Sequence, residues 1–397
     1  MVSDHILLTF NPGSSTLKMG LFAVEGDHAR RLGRGIIDLR HSPLVLSLSE
    51  GGEARDIRLT SAVTEDLREV IDETLRWLVD HFGVADLTAV GHRVVHGGDR
   101  FAGPALIDHE TFKGIESLVP LAPLHQPQSV RIIKALHHLR PDLPQVASFD
   151  TAFHRTQADL VRRFALPREM FNAGVKRYGF HGLSYKYIAR ELGRHDPTFG
   201  GRVVVAHLGS GASLCALSGG ISRDTSMGFS TLDGIPMATR CGTLDPGVVI
   251  HMLKEEKRPL EEVEDILYHR SGLLGVSGIS ADSRALLASH AEEAREALEL
   301  FTFRIARETA ALANTLGGLD GFVFTAGIGE HQGEIRSAVA ARLGWLGMKL
   351  DEQANAANAA MICSLDSKIK VFVIPTDEEQ VIADEAVSII QHLEPVR

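Results

Sequence analysis

The chain has 397 residues, of which 44% are hydrophobic and 23% charged, with a net charge of −10. That balance is ordinary for a globular chain of two or three domains, and it argues against nucleic acid or an anionic membrane as partner, because both reward a basic surface. No apolar run approaches the ~20 residues of a membrane span, the start Met1-Val2-Ser3-Asp4 lacks a basic signal-peptide opening, and Cys215, Cys241 and Cys363 lack CxxC spacing, so a cytoplasmic chain without disulfide framework or zinc site is expected.

In chain order, Ile6-Leu7-Leu8 and the run 19–24 flank Phe10-Asn11-Pro12-Gly13-Ser14-Ser15-Thr16-Leu17-Lys18, which predicts a β-hairpin. Its small hydroxyl residues and single Lys allow N–H groups, hydroxyls and an ammonium to converge on a phosphate, although an ordinary surface hairpin fits the same residues. The runs 19–24, 35–38, 44–48 and 56–59, separated by Gly and polar clusters, predict an antiparallel meander. In 61–82 the residues Leu67, Val70, Ile71, Leu75 and Leu78 fall at helical spacing, with Glu65 and Asp66 suiting the first turn and Gly83 the stop.

A strand over 87–95 then runs into Gly91-His92-Arg93-Val94-Val95-His96-Gly97-Gly98. The Val-Val core and Gly-Gly exit favour a strand end over a helical metal pair for His92 and His96, and Arg93 is the functional residue read here, against a surface ion pair. Polar clusters follow at Ala122-Pro123-Leu124-His125-Gln126-Pro127, Ser148-Phe149-Asp150-Thr151-Ala152-Phe153-His154 and Tyr178-Gly179-Phe180-His181-Gly182. Taken alone, each is more often a cap or a hydrogen-bonded structural residue, but Asp150 ends a strand, where open α/β sheets hold ligands.

In the second half, 203–214 lies over 6–17 without a gap if Asn11 is set against Leu208, so a strand, a small-residue turn and a second strand recur 197 residues on. That repeat predicts two related domains, each offering a turn to one ligand, with chance similarity as the competing account. Asp224-Thr225-Ser226-Met227-Gly228-Phe229 leads to Thr239-Arg240-Cys241-Gly242, where Arg240 joins Arg93 as a candidate to neutralise a carboxylate and a phosphoryl group. A polar turn at Asp282-Ser283-Arg284 precedes a long helix carrying Leu298, Phe301, Ile305, Leu312 and Leu316 and stopping at Gly317-Gly318. The buried strand 321–326 runs into Gly327-Ile328-Gly329-Glu330-His331, glycines of the kind that let backbone approach a nucleotide. A last strand meets Pro375-Thr376-Asp377-Glu378-Glu379, where the carboxylates suit either a helix N-terminus or a metal.

Taken together these motifs resemble the acetate kinase family, within the acetate and sugar kinase, heat-shock and actin superfamily, from Asn11 to Glu378. The resemblance implies an α/β, duplicated actin-like (ribonuclease H-like) two-lobed fold with a central cleft. One lobe comprises 1–150 plus 379–397 and the nucleotide-binding lobe 151–378. It implies reversible transfer of phosphate from ATP to acetate with Mg2+ (or Mn2+), ATP and acetate as small-molecule partners, and a homodimer. By position, Asn11 and Glu378 resemble the metal residues, and Lys18 with Ser14 and Thr16 the phosphate contacts. Arg93 resembles the carboxylate binder, Val95 a residue lining the acyl pocket, and His181 and Arg240 the pair on the transferring phosphoryl group, with His125 nearby. Asp150 takes the place of an essential carboxylate. His207, Leu208, Gly209, Ser210 and Gly211, then Asp282, Ser283 and Arg284, then Gly327, Ile328, Gly329, Glu330 and His331 match three nucleotide segments.

The chain departs from the family pattern at Ser210, His331 and Asp377, each usually Asn, and at Thr231, often Pro, which leaves nucleotide and acyl-chain preference open. Acetate is already ionised at neutral pH, so attack on the γ-phosphoryl needs no general base, and Asp150 is expected to orient a metal, a water or Arg and His partners. A propionate or butyrate kinase is the nearest alternative. A dinucleotide-dependent dehydrogenase, reading Gly327, Gly329 and Gly333 with Asp351 as a fingerprint, leaves the arginines and the hairpin repeat unexplained. A non-catalytic nucleotide clamp would share the fold without needing the paired arginines.

Overall fold

Eight strands in a row and five in a second row organise the chain in the computed structural model, which describes residues 5–13, 16–64, 67–82, 87–195 and 200–393. The predicted roles of Ser14, Glu65, Asp66 and Gly83 lie outside the described residues. Among the described residues no helix is long and apolar enough to cross a membrane. The chain divides into two compact units, Met1–Phe153 with Asp377–Arg397, and His154–Thr376.

In the first unit the strands are β1 (Ile6–Pro12), β2 (Thr16–Glu25), β3 (His28–Asp38), β4 (Val45–Glu50), β5 (Glu53–Arg58), β6 (Leu87–Val94), β7 (Ala105–Leu106) and β8 (Gln145–Phe149), in the order β5-β4-β3-β2-β1-β6-β8-β7. β1 to β5 form the predicted antiparallel meander, while β1, β6 and β8 run parallel. Successive side chains of a strand face opposite ways, so Leu8, Phe10 and Leu21 pack with Ile71, Leu75 and Leu136 in one core. Leu7, Phe22 and Ala89 pack with Ala383, Ala386 and Val387 of the C-terminal helix (Glu378–Ile390) on the other face. β1 and β8 are buried on both faces, hence their unbroken apolar runs. A Cβ at Gly91 would come within 2.6 Å of Ile382 Cγ2, so glycine there lets the C-terminal helix lie close on β6.

The first helix is shorter than its periodicity. It spans Arg68–Phe82, because Leu67 adopts a left-handed φ of 56° and breaks the pattern. The backbone N–H groups of Thr60 and Ser61 donate instead to the Glu73 carboxylate.

The second unit carries β9 (Arg202–Leu208), β10 (Ala212–Ser218), β11 (Ile221–Thr225), β12 (Gly321–Thr325) and β13 (Lys370–Val373), in the order β11-β10-β9-β12-β13. β11, β10 and β9 are antiparallel, and β9, β12 and β13 parallel. The first unit repeats that plan in β3-β2-β1-β6-β8, so the hairpin repeat of the sequence belongs to a five-strand repeat in the fold. The turns differ by one residue, however. Pro12 pairs with Leu17 across the first and Leu208 with Ala212 across the second, so no gapless overlay keeps both strands of the hairpins in register. The long helix Glu292–Leu316 buries Phe301, Ile305 and Leu312 and ends at Gly317, left-handed at φ 69°, as its pattern predicts.

Candidate active site

The parallel strands β1, β6 and β8 bring their carboxyl ends side by side in the first unit, the place where such sheets present ligand-binding groups. β1 carries Asn11, β6 carries Arg93, and Asp150 directly follows β8. Arg93 donates from Nη2 to Asp150 Oδ2 at 2.7 Å and from Nε to both carboxylate oxygens at 3.2 and 3.1 Å. Its Nη1 donates to Asn11 Oδ1 at 3.1 Å and to the Pro12 carbonyl at 3.5 Å. Asp150 is fully buried. Burial alone would lower the Arg93 pKa, but Asp150, Glu378 and Glu379 outweigh it and hold the guanidinium firmly charged.

Asn11 Nδ2 donates to Glu378 Oε2 at 2.8 Å and to Glu379 Oε1 at 2.7 Å. Two like charges meeting on one amide, beside a helix N-terminus that favours anions, form a hard oxygen set suited to a divalent cation. Among the described residues no three His, Cys, Asp or Glu side chains gather as a metal cluster. The set fits a cation that takes one or two carboxylates from protein and its other ligands from phosphates and water. Asp377 caps the same helix by accepting from Gln380 N at 3.0 Å, and its two oxygens pair with Arg31 and Arg34, each at 2.5 Å.

Around these groups, Lys18 is the exposed cross-strand partner of Asn11, and Thr16 opens β2 half-buried. His125 occupies the N-cap position of the helix Gln126–Leu139, whose Ser129 hydroxyl donates to the Arg93 carbonyl at 2.9 Å. Val95 is buried just beyond β6.

In the second unit the turn Gly209-Ser210-Gly211 is the gathering point. A Cβ built on Gly211 would stand 3.5 Å from His181 Nε2 and 3.9 Å from Arg240 Nη1, so both groups face that turn. Arg240 Nη1 also donates to the Thr231 carbonyl at 3.3 Å, and Ala238 N donates to Ser210 O at 3.2 Å, tying the Arg240 loop to the turn. The His181 and His207 rings stack at 4.2 Å. Ser213 Oγ lies 2.8 Å from His181 Nδ1 and 2.5 Å from the Tyr185 hydroxyl, while Ser184 Oγ lies 2.8 Å from His207 Nδ1. A small-residue turn with an imidazole and a guanidinium aimed at it is built to hold an oxyanion.

Two further predicted segments meet each other in this unit. Gln332, at the end of the helix Ala326–His331 that carries Gly327, Ile328, Gly329 and Glu330, donates from Nε2 to Ser283 Oγ at 2.8 Å. Beneath them Arg336, wholly buried, donates to Gly329 O at 2.9 Å and to Asn355 Oδ1 at 2.7 Å. Asp282 caps the short helix at Ser283 and pairs with Arg284, whereas His331 is exposed. Arg31, Arg34, Ser184 and Tyr185 were not singled out from the sequence, and Ser213 entered only through the hairpin repeat. Glu379, read with Asp377 and Glu378 as a cap or metal carboxylate but not paired with Asn11, joins Glu378 on the Asn11 amide.

Comparison with known proteins matches residues 6–384 to the acetokinase family model. A protein named acetate kinase from Rhodopseudomonas palustris is 48% identical over 389 residues, covering 96% of this chain and 97% of that one. One of the same name from Methylocella silvestris is 43% identical over 400 residues, covering 98% and 99%. Among solved structures, a propionate kinase from Francisella tularensis is similar with a TM-score of 0.89 at 33% identity, covering 96% of this chain and 98% of that chain. The acetate kinase of Porphyromonas gingivalis follows with 0.86 at 33% identity, covering 97% and 100%.

Proposed function

This chain belongs to the acetokinase family, and we infer from that membership that it catalyses reversible transfer of the γ-phosphoryl group of ATP to acetate, giving acetyl phosphate and ADP. The observation that carries the reading is the joining of Asn11, Arg93, Asp150 and Glu378 into one hydrogen-bonded set within a chain that matches the family along its length.

The acceptor is a carboxylate that already bears its charge, so the protein need not remove a proton and must instead position two anions and offset their repulsion. Arg93 holds the acetate carboxylate with the N–H capacity that Asp150, Asn11 and the Pro12 carbonyl leave over. Asp150 aims Arg93, and its burial against that guanidinium suits an orienting role better than proton transfer. His181 Nε2 and Arg240 take up the charge that spreads over the transferred group beside Gly211, and Lys18 with Thr16 offers donors to the phosphates. The segments 207–211, 282–284 and 327–331 hold the nucleotide. Asn11 and Glu378, joined by Glu379, would hold Mg2+ (or Mn2+), which when bound neutralises phosphate oxygens.

Trapping acyl phosphate with hydroxylamine in the presence of ATP, Mg2+ and acetate, with propionate and butyrate in parallel, tests the assignment. Acetate should give the highest kcat/KM and propionate a slower reaction, because one methylene is worth only about 1–3 kcal/mol of discrimination. A preference for propionate would move the chain to the alternative acyl kinase, and no acyl phosphate from any acid would overturn the reading. A homodimer follows from family resemblance, and a monomeric mass at micromolar concentration would contradict it.

A further inference from the structure

His154 lies buried at 1% exposure in the short helical turn Ala152–Thr156, and nothing above uses it. Its partners fix its tautomer. The Phe180 carbonyl, 2.9 Å from Nε2, can only accept, so Nε2 carries the proton. Nδ1 is therefore the acceptor, facing Ser222 Oγ at 2.9 Å and Gln157 Nε2 at 3.4 Å. Burial lowers the His154 pKa to about 4, which keeps the ring neutral at physiological pH.

That single N–H bond lands one residue before His181. His181 is a non-glycine in the left-handed region, at φ 55°, a conformation that persists only where neighbours over-determine it. The approach to it is moulded on the His154 ring. A Cβ at Gly179, φ 79°, would come within 2.6 Å of His154 Cδ2, so only glycine lets the chain pass over the imidazole. The ring has a second point of contact, standing edge-on to Tyr185 with centroids 5.7 Å apart. Tyr185 in turn reaches Ser213 Oγ at 2.5 Å, and Ser213 reaches His181 Nδ1 at 2.8 Å. Either oxygen can donate in the Tyr185–Ser213 contact; the direction in which the tyrosine donates to Ser213 and Ser213 donates to Nδ1 is the one that leaves the His181 proton on Nε2, the atom aimed at Gly211.

We propose that His154 is a positioning residue for phosphoryl transfer, bracing both the backbone that enters His181 and the Tyr185–Ser213 relay that sets its tautomer, so that His181 Nε2–H faces the transferred group. The inference rests on the reading of His181 as a contact of that group. His154 itself touches no substrate. Its contacts with Phe180, Ser222, Gln157 and Tyr185 lie inside the second unit, and through Phe180 and Tyr185 they lead to His181.

The test compares His154→Gln, His154→Leu, Ser222→Ala and His181→Ala in the full chain. Glutamine places an N–H near the position of imidazole Nε2 and should keep kcat within about threefold. Leucine removes the bond to Phe180 and should lower kcat about 100-fold, with the acetate KM within about twofold and the 15N signature of the His181 Nε2–H tautomer lost. Ser222→Ala loosens the acceptor side of His154 and should give a smaller kcat loss with the same change in that signature. Wild-type kcat in His154→Leu, or a loss that leaves the His181 signature intact, overturns the proposal. Should His154→Leu fail to fold, Ser222→Ala decides, and an unchanged kcat and His181 signature there overturns it. A His181→Ala variant of normal kcat refutes the underlying reading of His181 instead, which separates the two failures.

Discussion

Arg93 and Arg240 sit in different electrostatic surroundings, and that difference divides their expected phenotypes. The fork of Arg93 is turned on Asp150, a fully buried carboxylate, so Arg93→Ala strips that charge of its balancing guanidinium. Losing one partner of a buried pair costs about 3–5 kcal/mol, so this variant should melt earlier and also raise the acetate KM strongly. Adding Asp150→Asn to Arg93→Ala should restore part of the stability and none of the KM. Arg93→Lys should rescue little, since an ammonium is a point charge and cannot span both Asp150 oxygens. Arg240 donates to the Thr231 carbonyl and faces Met237 Sδ at 3.8 Å, and in the function proposed above it acts on charge that develops in the transition state. Its replacement by Ala should lower kcat by roughly 10²–10³ with the acetate KM changed much less. Steady-state kinetics beside melting temperatures check the contrast. If both arginines lost rate and stability in parallel, with no split between KM and kcat, they would be read as ion pairs that hold structure.

The N-terminus of the C-terminal helix shows how an element aims a site. Asp377 caps it and is gripped by Arg31 and Arg34 on β3, which fixes the first turn so that Glu378 and Glu379 meet Asn11. Asp377→Ala forfeits a cap worth about 1 kcal/mol and leaves two guanidinium groups facing a methyl. It should lower the melting temperature and raise the Mg2+ concentration needed for half-maximal rate, with a small effect on acetate KM. Asp377→Asn keeps the cap and should fall between. An unchanged Mg2+ requirement in a destabilised Asp377→Ala would mean that the grip serves folding alone. This clamp was illegible in the sequence for a geometric reason. Arg31 and Arg34 are three apart and would face opposite ways in a regular strand. A register shift opposite Leu21 and Phe22 pairs these with Gly33 and Arg31, skipping Leu32, and both arginines reach an Asp far along the chain. By contrast the meander, the strand end at Asp150 and the long helix stopping at Gly317 were legible, because period and glycine punctuation act locally. The periodicity over 61–82 overran the real helix start because periodicity does not register a left-handed Leu67. Asp377, Glu378 and Glu379 were legible as cap or metal carboxylates, but which of them faces Asn11 was not, because that depends on where β1 lies against the helix.

At the scale of the whole molecule, duplication gave the two units the same strand plan but different buried titrating groups, and this separates their response to acid. In the first unit burial pushes His92 and His96 down to about 4 from an ordinary 6.5. Both are neutral when folded and charged when unfolded across that window, so the unfolded state binds more protons and stability falls as pH drops from about 6.5 to about 4. Each contributes a slope of up to about 1.4 kcal/mol per pH unit. In the second unit His154 is likewise pushed down to about 4, and Glu308 is shifted the other way: its burial, aided by Asp233 and Asp224, raises it to about 7 against the opposing pull of Arg177. Glu308 keeps its proton when folded and loses it when unfolded between about 4.5 and 7, so its contribution has the opposite sign and offsets that of His154. The first unit should therefore lose stability on acidification while the second stays nearly level. The chain's two tryptophans report the units separately, since Trp77 lies in the first and Trp345 in the second. Urea titrations followed by 19F resonances of fluorotryptophan, run between pH 7.5 and 4.5, should show the Trp77 midpoint falling steeply and the Trp345 midpoint moving little. Replacing Glu308 with Gln should remove the offset and make the Trp345 midpoint fall with pH as His154 alone dictates. Equal slopes at both tryptophans in the unmodified chain, or an earlier loss at Trp345, would refute this assignment of the buried groups.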